Sequence, residues 1–445
     1  MSEYEVTSEK RDLTDFSNRH NINGYIIFWI GQLISLLGSS IVQFAIIWWI
    51  TVETGSEFFL ALAAFLGFGP TIVLTPVAGV FVDRWSRKKI IATVDFLQAT
   101  ITVLLIYLFV IGVVDVWSVL AIITCRGLLQ AFQGPAVEAI IPLLIPRDIL
   151  SRMNGLNYLF SGVIFLIGPL VGAMLLEWWT ISDILWLDAI TFLVAIVPTI
   201  IISIPPIKGL SAKVKDEKTS FREELTEGLV FIRNKQGLLA LLSVFTAANF
   251  FLQPFFILLP LFVTKIHTGG AGELALLIAA QQAGLIGGSM LMSFWKGFRN
   301  KAQGVALGIF GMYAGLFICS TSPTGLFLLL TAGVFIIGFA LPVANVSSQT
   351  IWQSVVPPEK LGRVFSVRVT IAQASAPLAM MLTGIIAGTI GIVYLLKISL
   401  FSGLLFLGYS WFFTGFRNVE KTLETSDTIV ERSLTAVKEV ISDRI

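Results

Sequence analysis

Charge is what this sequence has least of. Only 13% of its 445 residues are Asp, Glu, Lys or Arg, about half of what a water-soluble domain carries. With 56% of residues apolar and a mean hydropathy of +0.86, the composition leaves an integral membrane protein as the class. The formal net charge is only +2, so no nucleic-acid partner is expected. Cysteine is almost missing, and Cys125 and Cys319 lie far apart inside apolar runs, which excludes a disulfide framework. His20 and His267 are isolated from them and from each other, so no metal site is expected. Glycine-rich phosphate loops and a nucleophile triad are also missing, and neither an enzyme nor a bound cofactor is expected. The first 23 residues lack the basic start and small-residue cleavage site of a secretory signal. The first apolar run is therefore read as a spanning helix.

Long apolar runs are what the chain has in quantity. A spanning helix needs ~20 mainly apolar residues, and such runs cover 24–52, 58–82, 90–113, 117–138, 154–177 and 184–204, then 237–263, 272–295, 302–320, 324–351, 363–388 and 391–414. They are continuous rather than alternating and exceed the ~10 residues of a barrel strand. The expected fold class is an all-α membrane protein with twelve transmembrane helices in two six-helix bundles. Its expected parts are a cytoplasmic segment 1–23, a bundle 24–204, a cytoplasmic linker 205–236, a second bundle 237–414 and a cytoplasmic tail 415–445. In the linker, Phe221, Leu225, Leu229 and Ile232 recur at helical spacing, which predicts an amphipathic helix lying at the inner membrane face.

Orientation follows from Lys and Arg, which cytoplasmic loops hold in excess. With the N-terminus inside, the inner loops hold Arg84, Arg87, Lys88 and Lys89; Arg147 and Arg152; seven basic residues from Lys208 to Lys235; Lys296, Arg299 and Lys301; and Lys360, Arg363 and Arg368. The outer loops hold Lys265 alone. Both termini are thus expected in the cytoplasm.

The densest basic cluster, Gly79-Val-Phe-Val-Asp83-Arg84-Trp-Ser-Arg87-Lys88-Lys89, turns the chain between the second and third runs. Gly79 suits a close helix approach. Arg84 and Arg87 suit an inner latch onto a carboxylate at the end of a neighbouring helix, with Glu138 the first candidate partner and Asp95 the second. Arg126 stands inside the fourth run, where an ionisable residue faces the bundle interior or a water-filled cavity by default. A proton-relay or substrate role and a structural one both stay open for it. Gln130 and Gln133 continue that polar face. Other stripes carry Gln32, Ser35, Ser39 and Gln43; Asn249 and Gln253; Gln281 and Gln282; Asn345 and Gln349; and Ser366, Thr370 and Gln373. Polar groups in lipid need partners, so a water-lined cavity or interhelical hydrogen bonds account for them. Asp188 is expected to make a cap or structural contact towards the outer side. Two sets of six runs around a long inner loop match a duplicated secondary transporter with its site at the repeat interface.

The turn Gly-x-x-x-Asp-Arg-x-x-Arg-Lys-Lys resembles the signature loop of the major facilitator superfamily, whose twelve-helix layout fits nearly the whole chain. Ile46-Ile-Trp-Trp-Ile-Thr, Val82-Asp-Arg-Trp-Ser-Arg-Lys-Lys-Ile, Pro135-Ala with Pro142-Leu-Leu-Ile-Pro, Phe221-Arg-Glu-Glu with Glu227-Gly, and Glu359-Lys-Leu-Gly-Arg-Val-Phe-Ser resemble its macrolide-efflux-like branch. In the fifth run, Gly155, Gly168-Pro169 and Gly172 are similar to the helix-packing motif of drug/proton antiporters, with Ile164 and Ala173 departing from it. The resemblance implies export of a small amphiphilic, drug-like or macrolide-like compound, driven by a proton gradient through rocker-switch alternating access. It also implies a monomer in the plasma membrane of a prokaryotic cell, with Gln32, Gln43, Arg126, Gln130, Gln253, Gln281 and Asn345 as cavity candidates. The acid that would carry the proton is not identified, Asp95 and Glu138 being the inner-half candidates. Alternatives are an exporter of a narrower metabolite, siderophore or lysolipid, and a non-transporting sensor on the same fold.

Overall fold

The structure, a computed structural model, describes residues 22–202, 221–235, 237–357 and 360–419. The expected N-terminal segment up to residue 21, the linker's first part and the tail beyond 419 lie outside the described residues. Among the described residues there is no strand, and twelve helices are long and apolar enough to cross a membrane. The first six are α1 (Ile22–Thr54), α2 (Glu57–Arg84), α3 (Arg87–Val110), α4 (Val116–Leu144), α5 (Arg147–Leu176) and α6 (Ile181–Ile201). A shorter linker helix, α7 (Phe221–Asn234), precedes α8 (Leu238–Leu261), α9 (Ala271–Phe294), α10 (Lys301–Thr321), α11 (Phe327–Val355), α12 (Leu361–Ile390) and α13 (Ile392–Phe413).

Local chemistry sets the helix ends. At α4, the Asp115 side chain accepts from the Ser118 amide (2.9 Å) while Ser118 Oγ accepts from the Asp115 amide (3.1 Å), a reciprocal cap. Thr180 and Asp183 form the same arrangement at α6. Gly391, at φ +88°, lets α12 turn into α13. The apolar runs underestimate α4, which continues through residues 139–144, and α5, which begins in the polar stretch from Arg147, until only Ile145 and Pro146 separate them. At 1.5 Å per residue the 30 residues of α5 extend about 45 Å, beyond the ~30 Å hydrocarbon core, so this helix outlasts the apolar stretch that identifies it.

The chain divides into two compact units. One comprises the described residues before 217 with 257–282; the other comprises 217–256 with the described residues from 283 on. In the first, α3 packs against α4 and α6, α1 against α5 and α6, and α2 against α4. In the second, α10 packs against α11 and α13, and α12 against α13 and α7. The pairing of α3 with α4 and α6 thus recurs as α10 with α11 and α13, the relation an internal six-helix repeat produces.

Small residues permit the closest approaches, because helices in lipid associate through packing rather than through a hydrophobic drive. Gly304, Gly308, Gly311 and Gly315 of α10 meet Ser347, Ala344, Ala340 and Gly333 of α11. Gly168 and Gly172 of α5 meet Ser40 and Ile41 of α1, with Pro169 between them inside the helix. The other two motif glycines differ: a Cβ at Gly155 or Gly79 would meet nothing within 4 Å. Among the described residues, no close approach is made at Gly79.

The linker helix packs within the second unit. It docks on the start of α12, where Glu227 pairs with Lys360 (3.3 Å) and with Arg363, and Gly228 lies against Val367 and the Arg363 backbone. Ile232 is fully buried, whereas Leu229 is exposed, so the contact runs along a narrower face than the apolar spacing suggests. The Lys360 ammonium and the Arg363 guanidinium hold the Glu227 carboxyl below the usual glutamate range.

Candidate functional site

The basic turn closes over one end of the first unit's core, built from residues such as Tyr25, Phe28, Val82, Ile91, Ile140 and Ile202. Arg87 donates to the Ala139 carbonyl (3.2 Å) and Lys88 to the Ile202 carbonyl (2.8 Å), tying the start of α3 to the ends of α4 and α6. The Ile202 carbonyl, at the C-cap of α6, is the natural target of a cation at a helix C-terminus, whereas Ala139 lies five residues inside α4. Glu138, one residue before Ala139, is exposed. The Asp83 and Arg84 side chains lie outside the described residues. Asp95, the second expected latch partner, is not at this turn; eight residues along α3 from Arg87, it is about 12 Å further into the bundle.

There Asp95 is fully buried. Its Oδ1 accepts from Gln133 Nε2 of α4 (2.6 Å) and its Oδ2 from Gln32 Nε2 of α1 (3.4 Å). Gln98, one turn further along α3, donates to the Gln133 oxygen at 3.4 Å, and its own oxygen has no partner among the described residues. No ion pair among the described residues includes Asp95. Two of the polar stripes read from the sequence therefore converge on one carboxylate.

The other buried acid of this unit is arranged differently. Asp188 of α6 is fully buried and pairs with Arg126 of α4. Ser39 of α1 donates to its Oδ1 (2.8 Å), and Thr102 of α3 donates to its Oδ2 (3.2 Å) while accepting from Arg126 (3.0 Å). The Arg126 guanidinium also lies 5.6 Å from the centre of the Phe192 ring, within cation–π range. Four helices thus meet on one internal ion pair. The structural role left open for Arg126 has a partner, and Asp188 is a counter-ion rather than an outer cap.

The second unit holds a cavity of about 510 Å³ between α8, α11 and α12. Asn249, Gln253, Asn345, Gln349 and Gln373 all line it, bringing together three stripes predicted separately. Its cation is Arg368, which the orientation count treats as a loop residue but which stands at the eighth position of α12. Arg368 donates to the Gln349 oxygen at 2.6 Å, and its guanidinium carbon lies 5.4 Å from both the Trp352 and the Phe365 ring centres. Leu241, Phe245, Leu252 and Phe256 of α8 supply apolar wall. Gln43 and Gln130, in contrast, are exposed, and Gln281 is half-buried without a place in this lining. Lys265, the single basic residue of the expected outer loops, pairs with Glu57 at 2.8 Å.

Comparison with known proteins agrees with this architecture. The model of the Major Facilitator Superfamily matches residues 28–380. The chain is 31% identical over 376 residues to Macrolide efflux protein A of Streptococcus pyogenes, covering 84% of this chain and 92% of that protein. It is 26% identical to the Multidrug efflux pump Tap of Mycolicibacterium fortuitum, over 80% of this chain and 87% of that one. Among solved structures, the nucleoside transporter NupG superposes with a TM-score of 0.66 at 13% identity, covering 87% of this chain and 98% of the other. A bacterial homologue of the iron transporter ferroportin, in an inward-facing state, gives 0.65, likewise at 13% identity and over 87% and 98% of the two chains. At such identities these two likenesses speak for the fold. The chain belongs to the major facilitator superfamily, as a transporter of its macrolide-efflux-like branch.

Proposed function

We propose that this protein exports amphiphilic, drug-like compounds in exchange for protons, its two bundles alternating access to the two sides of a prokaryotic plasma membrane. Its efflux relatives support the direction of transport. The observation that carries the coupling is Asp95, a fully buried carboxylate whose bonded partners are the amides of Gln32 and Gln133. A carboxylate held by amides gains and loses a proton without breaking an ion pair, whereas Asp188 is balanced by Arg126. Because a buried charge is costly when unpaired, taking up a proton at Asp95 changes the energy of whichever state buries it. That is the property a coupling residue needs.

The test uses purified protein in liposomes under an imposed pH gradient, with erythromycin and ethidium as probes. The wild-type protein is expected to accumulate a probe against its gradient. Asp95→Asn is expected to lose gradient-driven accumulation while keeping probe counterflow, since the neutral isostere keeps the side chain's size and removes the titrating group. Undiminished proton-driven accumulation in Asp95→Asn would exclude Asp95 as the carrier. Failure of the wild-type protein to move any amphiphile would exclude the export reading itself.

A further inference from the structure

We infer that the cavity of the second unit is a binding site for the anionic group of an amphiphile, a carboxylate carried on an apolar body, with Arg368 as its anchor. This deepens the export reading by naming a substrate class and rests on it only for the direction of movement. Arg368 opens onto the cavity, yet no described acid pairs with it. Among the described residues the remaining polar lining is made of neutral amides, with no Asp or Glu in it. A guanidinium cannot shed its proton in a protein, so its charge has to be met by water or by a ligand. Gln349 takes one edge of it, and Trp352 and Phe365 flank it. These contacts fix the orientation of the fork while leaving its charge uncompensated. A planar fork held in this way suits a carboxylate better than a point charge does.

The rest of the cavity fits the other end of such a molecule. Leu241, Phe245 and Phe256 offer apolar surface. The amides of Asn249 and Gln253 can orient an ester, hydroxyl or ring oxygen. A volume of about 510 Å³ lies within the ~300–1,000 Å³ typical of sites for drug-sized ligands.

Three fluorescent probes with the same dansyl-undecyl body, ending in a carboxylate, a primary amide or an amine, separate charge from hydrophobicity. They are titrated into the full-length protein in phosphatidylcholine nanodiscs, which offer no net-anionic headgroup as competitor. The carboxylate is expected to bind about tenfold or more tighter than the amide, and the amine weakest, as a charge-assisted hydrogen bond implies. Arg368→Gln is expected to abolish the carboxylate's advantage over the amide; Arg368→Lys, which keeps the charge without the fork, is expected to recover part of it. Equal binding of carboxylate and amide, or tightest binding of the amine, overturns the inference using wild-type protein alone. Proteoliposome transport of erythromycin, a cation, is measured in parallel. Erythromycin export with no preference for the carboxylate leaves the export reading and removes this one. An Arg368-dependent preference without transport of any probe supports the site and removes export.

Discussion

Replacing Arg126 with methionine tests whether the buried pair holds the first unit together or serves a substrate. Asp188 is fully buried, while Arg126 keeps 17% of its side-chain surface exposed. Two unit charges ~4 Å apart attract by about 4 kcal/mol at an effective dielectric of ~20, and breaking a buried pair by removing one partner costs about 3–5 kcal/mol. After Arg126→Met, the carboxylate keeps only the hydroxyls of Ser39 and Thr102. A unit of roughly 200 residues shifts by about 2–4 °C per kcal/mol, so the expected loss is about 6–20 °C. Asp188→Asn is expected to cost less, because the guanidinium left behind is partly exposed and retains Thr102 and the Phe192 face. The double variant Arg126→Met with Asp188→Asn is expected to recover most of the loss, since no unpaired charge remains. The assay is the temperature at which half of the detergent-solubilised protein stays monodisperse by fluorescence-detected size exclusion, compared at one heating protocol because such unfolding is irreversible. An Arg126→Met protein as heat-stable as the wild type, or a double variant no better than the single one, refutes the pairing argument. Unchanged stability with lost probe binding would instead assign Arg126 to the substrate.

Two further outcomes follow. Glu227 has its ionisation favoured by Lys360 and Arg363, so it holds α7 on α12 fully above the ordinary glutamate value of 4.5, and that hold is lost as pH falls through the lowered value. Spin labels at the exposed Leu229 and Gly362 should therefore report an unchanged separation from about pH 8 to pH 5 and a lengthening only below the ordinary glutamate range, with Glu227→Gln lengthened throughout. Gly308→Ala would bring a Cβ to 2.8 Å from the Ala344 Cα and Cβ, an overpacking that costs about 1–3 kcal/mol. Gly155→Ala meets nothing within 4 Å and should be neutral or stabilising by up to ~1 kcal/mol, because alanine is the better helix former; a thermal-stability series on the two variants checks the contrast.

The spanning helices were legible because lipid leaves the backbone no other partner than itself, so each one requires a long apolar run. Their ends were not, since Arg147 and its neighbours extend a helix into the polar zone, where composition no longer reports on structure. Arg368 shows the consequence for a site. Placed at the edge of the apolar run 363–388, it counted as a loop charge; once α12 starts at Leu361, the same residue lies two turns inside. A signal was present in the sequence, because Phe365 precedes Arg368 by three residues and shares its helix face. Nothing comparable existed for Asp188. Its partners Arg126 and Thr102 are 62 and 86 positions away, and helical periodicity orders residues on one helix without saying which helices meet.

The buried charges sort by what neutralises them. Arg126 and Asp188 cancel within the first unit, which removes both from service as a movable charge. Asp95 in the same unit and Arg368 in the second have no counter-ion among the described residues, and each faces amides instead. Their chemistry then separates them. An acid can lose its charge by taking a proton, whereas a guanidinium keeps its charge and has to find an anion or stay hydrated. On that distinction Asp95 is suited to the coupling ion and Arg368 to the cargo, and a substitution at either one should disturb a different half of the transport cycle.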